Sequence, residues 1–126
     1  MTSPTQRALA ICKSRGWTAG IVERRNPKLL HVTHDFLGVF DLIACHPSLG
    51  LLAVQVTSGA NHAARETKIE LEPRALVWLQ SGGRAEVWSF ARRGPRGKTK
   101  RWTLRRTRAY IVDGRLGWIL TEEHDA

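Results

Sequence analysis

The sequence contains only two cysteines, Cys12 and Cys45, among 126 residues. That is too few for a disulfide framework, and their spacing matches no CxxC site, so a reduced, cytoplasmic chain is expected. No apolar run approaches the ~18–20 residues that span a bilayer, which excludes a helical membrane protein. Residues 1–7 place no apolar core behind a basic end, so export is not expected either. Internal repeats and low-complexity tracts are absent, and an apolar content of 42% is too high for a disordered chain. A single globular domain over residues 1–126 is the remaining class, and this length suffices to bury one core.

Acidic residues are missing from one long segment. Residues 91–108 hold nine bases (Arg92, Arg93, Arg96, Lys98, Lys100, Arg101, Arg105, Arg106 and Arg108) and no Asp or Glu. The rest of the chain carries eleven residues of each sign, so the whole net charge of +9 has one address. Such a field calls for a polyanion, and nucleic acid comes first. A membrane surface fits less well, because the segment reads as strand and turn rather than as a basic amphipathic helix.

Hydrophobic periodicity predicts a helix over 5–15, closed by Gly16, with Ala8, Leu9, Ile11 and Cys12 on one side. A strand is expected over 17–23 and a polar turn over 24–28. Residues 36–45 form a nearly continuous apolar run containing Asp41, and 51–57 form another. The short connection between them makes an antiparallel pair the default. Asn61 is placed to cap a helix through Ile69. Pro73 opens a second helical stretch through Gln80, offering Leu76, Val77 and Leu79 for burial. Strands are expected over 84–91, 102–111 and 116–120, with a turn at 94–97 and a frayed acidic end over 121–126. This order predicts an α/β or α+β domain, with a basic hairpin near the C-terminus.

Alternation along 51–57 puts Leu51, Ala53, Gln55 and Thr57 on one face of a strand and Leu52, Val54 and Val56 on the other. One strand earlier, Asp41 is a lone carboxylate in apolar sequence, which is costly unless it meets a cation or several donors. A metal ion held by Asp41, the Gln55 side-chain oxygen and the Val56 carbonyl would remove that cost, and Mg²⁺ suits such oxygen ligands.

An Asp in an apolar strand, a turn, and a strand ending in (Glu/Gln)-X-Lys form the core of the PD-(D/E)XK nucleases. Phe40-Asp41, thirteen residues, then Gln55-Val56-Thr57 resembles that motif. In size and order the chain is similar to the archaeal Holliday-junction resolvase-like branch and to small phage-encoded nucleases, over residues 5–90. The resemblance implies a restriction-endonuclease-like α/β fold, a mixed β-sheet flanked by helices, and carboxylates that hold Mg²⁺ or Mn²⁺ beside a scissile phosphate of DNA. It also implies a homodimer, for which the sequence names no interface.

Three departures shape the expected site. Gln55 stands where the family has an acid, and Thr57 where it has Lys. The first helix carries no acid, so Glu23 or Asp35 would complete the metal set. Lys68, on the following helix, would replace the missing lysine, with Arg65 one turn before it on the same face. The nucleic-acid contacts are expected from Arg65, Arg92, Arg93, Arg96, Lys98, Lys100, Arg101 and Arg105. The leading expectation is a small metal-dependent endonuclease. The alternative is a non-catalytic nucleic-acid-binding protein on the same fold.

Other groupings carry less. His31, His34, Cys45 and His46 match no compact zinc spacing, and Ser81-Gly82-Gly83-Arg84 lacks the lysine and length of a phosphate-binding loop. His34-Asp35 would at most add a group to the edge of the metal site. Trp88, Phe90 and Trp102 are expected to pack the hairpin on the helices.

Overall fold

The computed structural model of the protein describes residues 2–25, 28, 33–94 and 101–125. Helix α1 (Pro4–Ser14) is capped by Ser3, whose hydroxyl accepts from the Gln6 N–H, and has proline in its first turn. Gly16 ends it at φ +87, a conformation glycine adopts without steric cost. One turn apart, Ala8 and Cys12 are fully buried, and burial pushes the Cys12 thiol up to about 11.

The strands are β1 (Thr18–Ile21), β2 (Arg24–Arg25), β3 (Thr33–His34), β4 (Leu42–His46) and β5 (Gly50–Ser58). After a 3₁₀ turn, α2 (His62–Glu70) and α3 (Pro73–Gln80) lead to β6 (Arg84–Arg93), β7 (Arg101–Val112) and β8 (Arg115–Asp125). One six-stranded mixed sheet runs β1-β4-β5-β6-β7-β8, and β2-β3 forms a separate two-stranded ladder. Only β5 and β6 are parallel within the large sheet; its other pairs are antiparallel. The α2–α3 segment makes the crossover a parallel pair requires.

The alternation read from the sequence is observed on both central strands. Leu52, Val54, Val56, Trp88, Phe90 and Leu104 join Ala8 and Cys12 in a core beneath α1. Ala53, Ala85, Val87 and Ala109 join Ile69 and Ala75 in a second core beneath α2 and α3. The protein is therefore an α/β domain with helices on both sheet faces. Among the described residues, no helix is long and apolar enough to cross a membrane.

Several expectations need correction. The apolar run over 36–45 is not one strand. Phe36 and Phe40 bridge across a tight reversal, with Leu37 at φ 55 and Gly38 at φ 74, and β4 begins only at Leu42. Two successive residues at positive φ turn the chain sharply, and the Arg74 guanidinium clamps the turn by donating to the Leu37 carbonyl at 2.9 Å. Arg24 and Arg25 lie in β2, not in a turn. The strand expected over 17–23 is shorter, because the chain leaves β4 after Ile21. Asn61 sits at the helix boundary, but its amide donates to the Ser58 hydroxyl instead of capping. Val77 faces solvent, and Ala75 takes the buried place in α3. The acidic end is ordered through β8, since Glu122 and Glu123 pair with Arg106 and Arg105 of β7 in register.

Candidate metal centre and its basic border

Two ladders bring three distant carboxylates together. Across β2–β3, Arg24 opposes His34, which sets Glu23 and Asp35 against each other one step further along. Across the tight hairpin, the Phe36–Phe40 bridge likewise sets Asp35 against Asp41. Backbone bonds from the Val22 and Glu23 N–H groups to the Asp41 carbonyl, at 2.9 and 3.3 Å, tie the remaining side. Glu23, Asp35 and Asp41 thus offer oxygens within 4.8 Å of one another. Glu23 is exposed, Asp35 half-buried and Asp41 buried, so the cluster opens outward. A groove of about 450 Å³, lined by Val22, Glu23, Arg24, His34, Asp35 and Phe36, leads to it.

On the inner side, Gln55 shares the α2–α3 face with Ala53 and lies level with Asp41. Asp41 Oδ2 accepts from Gln55 Nε2 at 2.9 Å and from the Val56 N–H at 2.8 Å. The same amide nitrogen also donates to the Val56 carbonyl at 3.2 Å. Gln55 Oε1 and Asp35 Oδ1 are buried with no hydrogen-bond partner. Burial pushes the Asp41 carboxyl up to about 7; the Val56 N–H opposes the shift, Glu23 and Asp35 add to it, and Lys68 also opposes it. Three clustered carboxylates and the orphaned Gln55 oxygen form an acceptor-rich set. Oxygen donors in that number suit Mg²⁺ or Mn²⁺.

The other expected site residues lie around this centre. Thr57 is buried on the same strand face as Gln55 and pairs in register with Ser89. Lys68 is half-buried on α2 and near enough for its charge to act on Asp41. Arg65 lies one turn earlier on that helix, also half-buried. Because β5 and β6 are parallel, the hairpin strands extend from the same sheet end as Gln55 and Thr57. Arg93, Arg101 and Arg105 alternate onto the α2–α3 face, whereas Arg92 faces α1 beside Trp102. Arg96, Lys98 and Lys100 lie outside the described residues.

The uncompensated field read from residues 91–108 is partly neutralised by the neighbouring strands. Arg106 contacts Glu86 and Glu122 at 2.8 and 2.7 Å, and Arg105 lies 3.5 Å from Glu123. These partners come from outside the segment, so its own composition could not reveal them.

A second polar cluster also escaped the sequence reading. Buried His62 binds the Ser89 hydroxyl through Nδ1 at 2.6 Å and Thr107 Oγ1 through Nε2 at 2.7 Å. Thr107 donates its own proton to Glu66 Oε2 at 2.7 Å. Thr107 must then accept from His62 Nε2–H, which leaves Nδ1 as the acceptor for Ser89. With Ser89 only 2% exposed, this network pins α2 to β6 and β7 and offers no open nucleophile. Burial, helped by Arg105, lowers the His62 pKa to about 4.

Because the unfolded imidazole titrates near 6.5, the stability from neutral His62 is complete above that pH and is lost as pH falls toward about 4. The expected loss approaches ~3 kcal/mol. Urea unfolding in EDTA should show it in an Asp41→Asn background, which removes the opposing titration of Asp41. His62→Gln should flatten the slope, and an unchanged slope would reassign it to another group.

Compared with known proteins, the chain matches no protein-family model, no curated protein and no solved structure.

Proposed function

We propose that this chain is a divalent-cation-dependent endonuclease of the restriction-endonuclease-like type, acting on DNA. The observation that carries the reading is the meeting of Glu23, Asp35 and Asp41, beside the orphaned Gln55 oxygen, at the sheet end from which the basic hairpin strands extend. Asp41, Glu23 and Asp35, with Gln55 Oε1 and the Val56 carbonyl, would hold Mg²⁺ or Mn²⁺. Such a cation, when bound, neutralises phosphate charge and acidifies water.

The protein's own groups would do the rest. Arg93, Arg101 and Arg105, with Arg65, would lay the phosphate backbone along the α2–α3 face. Lys68 supplies the cation that Thr57 does not, and its charge already favours the ionised form of Asp41. The buried walls around Asp41 strengthen each of these electrostatic interactions.

The test is incubation with plasmid, single-stranded and four-way-junction DNA in Mg²⁺, Mn²⁺ or EDTA. Metal-dependent cutting is expected, and Lys68→Ala should slow it at least tenfold with little change in DNA affinity. Full-rate cutting by Lys68→Ala would remove that residue from the site.

One observation favours the non-catalytic alternative. The Gln55 amide donates to both Asp41 and the Val56 carbonyl, which closes the centre without a cation. Salt-sensitive DNA binding, indifferent to metal and with no cutting of any substrate, would establish that alternative.

A further inference from the structure

On the α1 face of the sheet, two pairs of arginines have contrasting surroundings. Near the end of α1, Arg15 and Arg106 are matched by carboxylates. Arg15 donates two parallel hydrogen bonds to the Glu122 carboxylate, each at 2.7 Å, and Arg106 bridges Glu122 and Glu86. At the base of the hairpin the matching stops. Arg7 lies over the Trp102 ring at 4.1 Å from its centroid, and Arg92 lies 5.9 Å from the same centroid. Among the described residues, neither has a carboxylate partner. Arg7 Nε is in addition buried without any hydrogen-bond acceptor.

Two like charges share one indole here. The ring quadrupole attracts each by only ~0.5–1 kcal/mol and does nothing to neutralise their mutual repulsion. An anion at the exposed part of the two guanidinium groups would offset the repulsion between them. The half-buried Trp102 adds a π-surface at the same spot. Arginine beside an aromatic ring at the edge of a basic strand is the chemistry that holds single-stranded nucleic acid, with the charge on the backbone and the ring on a base.

We infer that Trp102, Arg7 and Arg92 form a second nucleic-acid contact, on the sheet face opposite the carboxylate centre, that takes the phosphodiester backbone of a single-stranded segment. This rests on the nucleic-acid reading above and extends it. The hairpin base would then carry nucleic acid on both faces, with Arg93, Arg101 and Arg105 serving one and Arg7 and Arg92 the other.

The test is fluorescence anisotropy with a labelled 20-nucleotide oligothymidine in EDTA across a salt series. Arg7→Gln/Arg92→Gln should weaken binding at least tenfold and reduce the salt slope by about 1.4, from ~0.7 per contact on a single strand. Arg7→Lys/Arg92→Lys keeps both charges and should restore the slope. With 5-fluorotryptophan incorporated, the ¹⁹F resonance lost in Trp102→Phe should shift when the oligonucleotide is added. An unchanged affinity in the Gln pair, alongside weakened binding in Arg93→Gln/Arg105→Gln, overturns the second contact and leaves the first reading standing. No binding by the wild-type chain overturns both. Capture of anionic vesicles through Arg7 and Arg92, with the oligonucleotide unaffected, would assign the pair to a lipid surface instead and overturn the inference.

Discussion

Asp41→Asn is expected to abolish divalent-cation binding and DNA cleavage, each by at least ~100-fold, while making the cation-free protein more stable at pH 8. The two effects have one origin. Asp41 is 5% exposed, and burial raises its carboxyl from 3.8 to about 7. A folded pKa above the unfolded one means that stability is complete below about 3.8 and is lost as pH rises through about 7. At pH 8 the ionised carboxylate therefore costs the cation-free fold up to ~4 kcal/mol, and an asparagine avoids that cost. The asparagine side-chain oxygen can still accept from the Val56 N–H, so the local backbone should survive. Urea unfolding in EDTA at pH 4 and pH 8 measures the gain, and Mn²⁺ titration calorimetry measures the loss. Wild-type affinity for Mn²⁺ should also rise about tenfold per pH unit below pH ~7, because the cation displaces the Asp41 proton. A stability gain without loss of cation binding would place the ion elsewhere. Loss of both stability and binding would make Asp41 a structural residue.

The two faces of the central strands were legible because period-two alternation needs no knowledge of neighbours. Asp41, Gln55 and Thr57 were likewise legible, as polar residues that interrupt apolar runs. Glu23 and Asp35 could only be offered as alternatives. Their convergence depends on two short ladders, β2–β3 and the Phe36–Phe40 reversal, and no periodicity marks a strand of two residues. The reversal itself was hidden by composition. Leu37 is a poor candidate for a left-handed conformation, and the Arg74 bond that helps hold it comes from thirty-seven residues away. The apparent nakedness of the basic segment had a similar cause. Charge counted along the chain cannot see that β8 lays Glu122 and Glu123 beside Arg106 and Arg105, or that Glu86 reaches Arg106 from β6. His62 also escaped notice, because its partners Ser89 and Thr107 arrive from two later strands.

Arg106→Ala is expected to destabilise the fold by ~3–5 kcal/mol, the usual cost of leaving a buried charge without its partner. Glu86 is 2% exposed, and its Oε1 takes the Arg106 guanidinium at 2.8 Å and the Trp88 indole N–H at 2.8 Å. Removing the guanidinium leaves that carboxylate facing the ring of Trp88, against which Arg106 also stacks at 4.7 Å. Glu122 loses one of its two arginines but keeps Arg15, whose paired hydrogen bonds are the main cause of its lowered pKa, about 2. The damage should therefore centre on Glu86. Arg106→Ala/Glu86→Gln tests this, because glutamine removes the stranded charge and still offers an oxygen to Trp88. The double variant should recover more than half of the lost stability in urea unfolding, a coupling that independent sites would not show. Arg106 is already neutralised within the fold, so its removal should leave the salt dependence of DNA binding unchanged, in contrast to Arg93 or Arg105. A flattened salt slope in folded Arg106→Ala would mean that DNA competes with Glu86 and Glu122 for this side chain.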